Sequence, residues 1–205
     1  WSRMAAHSPG IVYSAATMRT SNPSCRAVSA VTGPMQAAGA LESAAVARRI
    51  EAQTGVPTTV ENILITPGGQ SALFAAHMAV LNPGDIALYC DPYYATYPGT
   101  IRGTGAVDRA ILCDPANDFQ PRATDLEAAA KGARSLLVNS PNNPTGVVYD
   151  RATWEGIAQT CIAHDLWLIS DEVYDTQVWQ GAHVSPRTLP GMQERSLVIG
   201  SMSKS

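Results

Sequence analysis

The sequence predicts an α/β fold, a mostly parallel sheet sandwiched by helices, and three observations support this. Beyond residue 61, short apolar runs alternate with longer mixed segments, which is the pattern of strands joined by helices. The apolar runs are rich in Val, Ile and Leu, as suits parallel strands that are buried on both faces. Apolar residues make up 45% of the 205 residues, which is enough for one domain with a substantial core.

The individual elements follow from these local patterns. Strands are expected over 62–66, 86–90, 107–112, 135–139, 166–170 and 197–200. Helices are expected over about 40–53, 70–81, 123–131 and 151–164. Gly55 and Pro57 close the first of these helices, and Asp150 is the expected N-cap of the last. The first forty residues show no sustained period, so we expect an irregular N-terminal segment over 1–40.

The composition argues against several classes of protein. A net charge of −3 and the lack of a basic run argue against a nucleic-acid ligand. No apolar stretch is long enough to cross a bilayer and no secretory signal is visible, so a cytoplasmic protein is expected. The four cysteines lie far apart and the histidines lack metal-ligand spacing, so no metal site is expected.

Polar and glycine-rich segments follow five of the predicted strands. These segments are residues 67–70 (PGGQ), 91–94 (DPYY), 140–146 (SPNNPTG), 171–174 (DEVY) and 201–204 (SMSK). Ligands bind at the carboxyl ends of parallel strands, because the connecting loops and the helix N-termini converge there. The sequence therefore predicts one binding site built from all five segments.

Two of these segments contain groups that can hold a phosphate. Gly68, Gly69 and Gln70 lie between a strand and a helix, where backbone amides and the helix N-terminus bind anions. A glycine pair at such a place is also common as a plain tight turn. Ser201 and Ser203 could add hydroxyl donors to the same phosphate, although serines beside a strand end usually act as caps.

Four further side chains suit a planar, charged ligand. Asp171 closes a buried strand, where a carboxylate needs a cation such as a protonated pyridine nitrogen, or alternatively a helix cap or a salt bridge. Tyr174 could donate to a ring oxygen and Tyr94 could stack on a ring, although each alone would suit the core or its rim. Lys204 follows a buried strand, so we expect a partly desolvated amine with a lowered pKa, as a Schiff-base lysine requires.

Taken together, the segments resemble the class I and II aminotransferases, enzymes of fold type I that depend on pyridoxal 5′-phosphate (PLP) and include aspartate aminotransferase. The resemblance rests on residues 66–73, 91–94, 139–146, 170–174 and 201–205, which occur in the family's order. It implies a partial PLP-binding large domain over 41–205, with the small C-terminal domain of the family absent. Residues 1–40 resemble no part of the family.

The resemblance also implies a role for each matching residue. Lys204 would bind PLP covalently and carry a proton, and Asp171 would keep the pyridine nitrogen protonated. Asn143 and Tyr174 would hydrogen-bond the phenolic oxygen of the ring, and Tyr94 would stack on it. Lys204, Asp171 and Tyr174 form the implied catalytic set, while Asn143 and Tyr94 would also contact the substrate. The residues implied at the phosphate are Gly68, Gly69, Gln70, Ser201 and Ser203.

The implied activity is the exchange of an amino group between an amino acid and a 2-oxo acid by a homodimer. Three alternatives stay open. One is a PLP-dependent C–S lyase or another fold type I enzyme, which would use nearly the same residues. Another is a regulator that senses PLP and binds DNA through a separate module, although residues 1–40 show no basic helix-turn-helix. The third is an inactive fragment that lacks the part of the family that grips the substrate carboxylate.

Overall fold

The computed structural model describes residues 11–15 and 34–204, with side chains from residue 41 onward. Within these residues the strands are β1 (Ile11–Ala15), β2 (Ile63–Pro67), β3 (Ile86–Asp91), β4 (Val107–Leu112), β5 (Ala133–Asn139), β6 (Trp167–Asp171) and β7 (Ser196–Ser201). They form one sheet in the order β2-β1-β7-β6-β5-β3-β4. Every neighbouring pair is parallel, which confirms the predicted α/β fold.

Helices cover both faces of the sheet. They are α1 (Pro34–Thr54), α2 (Gly69–Val80), α3 (Tyr97–Arg102), α4 (Ala123–Ala130) and α5 (Arg151–Ala163). Successive side chains of β6 point to opposite faces, so Leu168 packs with α4 and α5 and Ile169 packs with α2 and α3. Val198 of β7 packs against α1. None of the helices in the described residues is long and apolar enough to span a membrane.

The predicted strands and helices beyond residue 61 are confirmed, with ends that shift by only a few residues. β4 has the predicted bounds, Val107–Leu112. Asp150 caps α5 as predicted, because its Oδ1 accepts a hydrogen bond of 2.7 Å from the backbone N–H of Thr153. The prediction missed α3, since Pro98 and Gly99 suggest a turn, although proline is well accepted in the first turn of a helix.

The N-terminal segment differs from its prediction. Residues 1–40 were expected to be irregular, but β1 lies inside the sheet and pairs with both β2 and β7. Helix α1 begins at Pro34 rather than near residue 40. The run of Ile, Val and Tyr in Ile11–Ala15 is too short to show a period, and pairing on both sides supplies its backbone hydrogen bonds. The other residues before Pro34 lie outside the described part of the chain.

Candidate functional site

One cavity of about 220 Å³ opens at the carboxyl edge of the sheet. It is lined by Gly69, Gln70, Leu73, Tyr94, Tyr97, Asn139, Asn143, Asp171, Val173, Tyr174, Ser201, Ser203 and Lys204. Every residue predicted to bind the cofactor is among them except Gly68. The five segments that follow the strands therefore converge on one site, as the parallel topology requires.

Gly68 shapes the site without lining it. Its φ of +96° is a backbone conformation that glycine adopts without strain, and its N–H donates to the carbonyl oxygen of Thr66 over 2.9 Å. This turn lets α2 begin at Gly69, with its N-terminal amides near the cavity. Gln70 also lines the cavity, and its side-chain amide donates to the hydroxyl of Thr100 on α3.

Two serine hydroxyls after β7 lie at the same cavity. The Oγ atoms of Ser201 and Ser203 are 2.7 Å apart, which is a hydrogen-bonding distance. The N–H of Ser203 also donates to Ser201 Oγ over 3.1 Å. This small ring of contacts fixes the chain as it leaves the sheet, so the hydroxyls and the start of α2 form a polar wall that suits an anion.

Asp171 is the buried charged group of the cavity, with only 4% of its surface exposed. Its Oδ2 accepts a hydrogen bond of 2.7 Å from the hydroxyl of Tyr97, and its Oδ1 accepts one of 3.3 Å from the N–H of Val173. Burial raises the pKa of Asp171 to about 6, although these two hydrogen bonds lower it and the charge of Glu172 raises it further. With a pKa of about 6, the carboxyl group can gain or lose its proton near neutral pH.

Two residues that the sequence did not identify support this centre. Tyr97 holds Asp171 directly, and Asn139 organises the adjoining loop. The side-chain NH₂ of Asn139 donates to the carbonyl oxygens of Asp171 and Pro141, and its Oδ1 accepts from the N–H of Asn143 over 2.8 Å. Asn139 ends a buried strand just as Asp171 does, and that position was the available signal. The register that pairs the two residues comes only from the structure.

Asn143, Tyr174 and Tyr94 line the cavity as predicted. Within the described residues, neither the side-chain amide of Asn143 nor the hydroxyl of Tyr174 has a hydrogen-bond partner, so both can serve a ligand. The ring of Tyr94 lies edge to face with that of Tyr97, with 5.9 Å between centroids. Asn143 and Tyr174 also border a wider groove of about 670 Å³ that contains the exposed Trp179.

Lys204 reaches the same cavity as Asp171, so the two groups can act on one ligand. Its carbonyl oxygen accepts a hydrogen bond of 3.0 Å from the side-chain amide of Gln177. The hydroxyl of Thr176 lies 3.5 Å from the same oxygen. The expected partial desolvation is not found, because β7 ends at Ser201 and Lys204 is exposed beyond it.

The known proteins that this chain resembles are aminotransferases. The profile of the family described as aminotransferase class I and II matches residues 26–205, so the match begins earlier than residue 41. An arginine–pyruvate transaminase of Pseudomonas aeruginosa is 39% identical over 161 residues, which are 78% of this chain and 41% of that protein. The aspartate/prephenate aminotransferase of Thermus thermophilus is 35% identical over 162 residues, with 78% and 41% covered.

Solved structures give the same result. The aspartate aminotransferase from Thermus thermophilus with maleate matches with a TM-score of 0.73 at 34% identity, over 77% of this chain and 41% of that one. The chain thus spans about 41% of the length of these relatives. The profile match over most of the chain, the shared fold and the convergence of the family's motifs on one cavity lead to one conclusion: this chain belongs to the aminotransferase class I and II family.

Proposed function

We propose that this chain forms the cofactor-binding part of a PLP-dependent aminotransferase, which exchanges an amino group between an amino acid and a 2-oxo acid. The observation that carries the proposal is the meeting of Asp171 and Lys204 in one cavity. PLP, when bound, supplies an aldehyde and an electron-accepting ring. A buried carboxylate, an amine, a phenol and a polar phosphate wall are the groups that such a molecule needs, so the residues present fit it.

On this proposal, three residues hold the ring. Asp171 would accept a hydrogen bond from a protonated pyridine nitrogen, and the hydrogen bond from Tyr97 fixes its position. The free side-chain amide of Asn143 and the free hydroxyl of Tyr174 donate to the phenolic oxygen. Tyr94 covers one face of the ring, and its contact with Tyr97 keeps it there.

The phosphate is assigned to the polar wall of the cavity. The N-terminal amides of α2 at Gly69 and Gln70 donate to the anion, with the hydroxyls of Ser201 and Ser203 beside them. Gly68 makes the turn that opens the helix toward the anion. Because the side chain of Gln70 is engaged with Thr100, its backbone N–H is the group that remains for the phosphate.

Lys204 is the proposed proton carrier. Its amine would hold the cofactor, and the same amine would accept the proton of the substrate α-carbon. The hydrogen bond from Gln177 to the carbonyl oxygen of Lys204 limits how far the backbone of the lysine can shift. Asn143 and Tyr94 are the proposed substrate contacts.

The relatives support an amino-acid substrate, since they are named for arginine with pyruvate and for aspartate or prephenate. The proposal extends to a homodimer that works in the cytoplasm. The cysteines in the described part of the chain, Cys90, Cys113 and Cys161, are buried and unpaired, which suits a reducing compartment. Sedimentation analysis with and without PLP tests the dimer.

A trapping experiment tests the central assignment. The chain contains only two lysines, Lys131 and Lys204. After addition of PLP and reduction with borohydride, we expect peptide mass spectrometry to find the pyridoxyl group on Lys204 and not on the exposed Lys131. Lys204→Ala should abolish the labelling, whereas Lys131→Ala should leave it unchanged. Labelling of Lys131 alone, or equal labelling of both, would contradict the proposal.

Product analysis separates transamination from lyase chemistry. With an amino acid and a 2-oxo acid, an aminotransferase yields a new amino acid and a new 2-oxo acid, whereas a C–S lyase releases a thiol from a sulfur-containing substrate. We expect amino-group exchange from the protein of which this chain is a part, and thiol release without exchange would replace the aminotransferase proposal.

A further inference from the structure

A second polar cluster lies behind Asp171, on the opposite face of the sheet. Asp171 lines the cavity described above, whereas Glu172, the next residue, lines a second cavity together with residues of α1, as the alternation of side chains at a strand end requires. The N–H of Glu172 donates to the carbonyl oxygen of Ile199 over 2.8 Å, which holds its backbone against β7. Only 6% of Glu172 is exposed, so its carboxylate needs partners.

Those partners come from the loop that follows β6. His183 Nε2 lies 2.7 Å from Glu172 Oε2, and the hydroxyl of Ser185 donates to Oε1 over 3.2 Å. Burial lowers the pKa of His183, but the hydrogen bond and the charge of Glu172 outweigh burial and raise the pKa above its ordinary value. His183 therefore keeps its proton to a higher pH than an ordinary histidine does, and in that form it opposes the charge of Glu172. Its Nδ1 is buried and has no hydrogen-bond partner among the described residues.

Two other charged groups act on the pair: the charge of Arg187 interacts with Glu172, and the charge of Asp175 raises the pKa of His183. Arg187 is buried near Glu172 and donates to the hydroxyl of Thr58 over 3.2 Å. Asp175 is paired with Arg49 at 3.0 Å. Arg151 lies at the edge of the same cavity, which is about 320 Å³ in volume, and is exposed.

On the other side of the strand, Asp171 faces Tyr97, Tyr174 and Lys204. Of these groups, Tyr97 makes the hydrogen bond to its carboxylate. The position of the Asp171 carboxylate therefore depends on Tyr97 on the cavity side of the sheet and on Glu172, whose backbone is bonded to Ile199, on the opposite side.

We propose that Glu172 and His183 act as a positioning pair for Asp171: they fix the end of β6 from behind and cancel the negative charge that would otherwise stand next to the catalytic carboxylate. The inference rests on the proposed function, in which Asp171 holds the proton of a ring nitrogen. Without His183, the charge of Glu172 would be opposed by Arg187 alone, and Asp171 beside it would retain its proton to a higher pH.

The test measures Asp171 in the full chain without cofactor, so it does not depend on PLP binding. Carbon NMR of side-chain carboxyl groups in an aspartate-labelled sample gives the titration of Asp171, whose signal is assigned with Asp171→Asn. His183→Gln should raise the pKa of Asp171 by up to roughly one pH unit, because the adjacent Glu172 loses one of its positively charged partners while Arg187 remains. Glu172→Gln should lower the pKa, because it removes the nearer charge. The double variant should resemble Glu172→Gln.

A matched control uses another histidine–glutamate pair. His164 Nε2 lies 2.7 Å from Glu127 Oε2, but this pair joins α5 to α4 and is remote from the cavity. His164→Gln should leave the titration of Asp171 unchanged. If His183→Gln fails to fold, the lowered pKa in Glu172→Gln alone still tests the idea. Equal shifts of the same sign in both single variants, or no shift in either, would overturn the proposal.

The outcome is separable from that of the proposed function. If borohydride trapping shows no PLP on Lys204 while the opposite shifts of Asp171 are found, the positioning pair stands and the cofactor assignment fails. If PLP labels Lys204 but the shifts are absent, the proposed function stands and the pair has no influence on Asp171.

Discussion

At the scale of single residues, the chemistry of the site depends on how one buried carboxyl group is held. Burial alone would favour the neutral form of Asp171, and the hydroxyl of Tyr97 is the strongest contact that opposes it, at 2.7 Å. Burial also raises the pKa of the Tyr97 phenol well above its ordinary value, with Asp171 adding to the effect, so Tyr97 remains a donor over the working pH range.

Tyr97→Phe should therefore raise the pKa of Asp171 above about 6, because the carboxylate loses a hydrogen bond while its burial is kept. Carboxyl NMR titration measures the change. Tyr93→Phe is the control, since Tyr93 packs edge-on against Tyr89 at 4.9 Å, and the hydrogen bonds to the Asp171 carboxylate from the described residues come from Tyr97 and Val173. An unchanged pKa in Tyr97→Phe would show that the hydroxyl does not stabilise the carboxylate.

His77 gives a second prediction at this scale. It is fully buried on α2, neither ring nitrogen has a partner among residues 11–15 and 34–204, and burial lowers its pKa to about 4. The unfolded chain, with an ordinary histidine pKa, binds more protons below pH 6.5, so the free energy of unfolding should fall between about pH 6.5 and about pH 4. The loss from this residue is about 3 kcal/mol.

His77→Leu should remove that pH dependence and raise stability at neutral pH by about 1 to 3 kcal/mol, because two unpaired buried nitrogens are lost. Urea unfolding at a series of pH values measures this. The raised pKa of Asp171 acts in the opposite direction, since its stabilising proton is lost as pH rises through about 6, so the difference between variants is the quantity to compare. A parallel pH profile in both proteins would contradict the assignment.

At the scale of elements, the residues at the N-terminus of a helix determine where the helix begins. The N-termini of α2 and α5 follow loops that carry residues of the site. Helix α5 begins where the Asp150 carboxylate accepts from the N–H of Thr153, directly after the loop that carries Asn143. Helix α2 begins instead at a glycine turn, with no side-chain cap, which leaves its first amides for a ligand.

Asp150→Ala should lower the free energy of unfolding by about 1 kcal/mol, the usual cost of losing an N-cap. Asp150→Asn keeps an acceptor oxygen and should lose much less. Thermal or urea unfolding of both variants checks this, and equal losses would mean that the cap hydrogen bond is not the cause.

At the scale of the whole molecule, the sheet separates two hydrophobic cores. One contains Leu168 with Trp154 and Ile157 from α5, and the other contains Ile169 with residues of α2 and α3. Because β6 contributes to both cores and ends in Asp171, the packing of the strand sets the position of the carboxylate as well as the stability of the fold.

Leu168→Ala should destabilise the protein by about 2 to 5 kcal/mol, because the side chain is fully buried and its removal leaves a cavity. Leu112→Ala is the matched control, since Leu112 is 75% exposed on the edge strand β4, and it should cost much less. Urea unfolding measures both. A similar loss in the two variants would argue against a core role for Leu168.

Much of this organisation is visible in local sequence. The order of strands and helices beyond residue 61 and the polar segments after each strand follow from patterns only a few residues long, and parallel strands necessarily bring those segments to one edge. The contacts of Tyr97 with Asp171 and of His183 with Glu172 gave no such signal. Tyr97 and Asp171 are 74 residues apart in the sequence, and His183 and Glu172 are 11 residues apart. Neither separation matches the repeat of a helix or a strand, so no local pattern predicts these contacts.

Local patterns thus predict the fold class and the edge of the sheet that carries the site, because apolar periodicity and strand-end chemistry are local properties. Together with the family resemblance they predict nine of the thirteen residues that line the cavity. Three features are visible only in the folded chain: β1 enters the sheet between β2 and β7, Lys204 is exposed, and Tyr97 holds the carboxylate of Asp171. Those outcomes depend on strand register and on packing between distant segments, which no short stretch of sequence encodes.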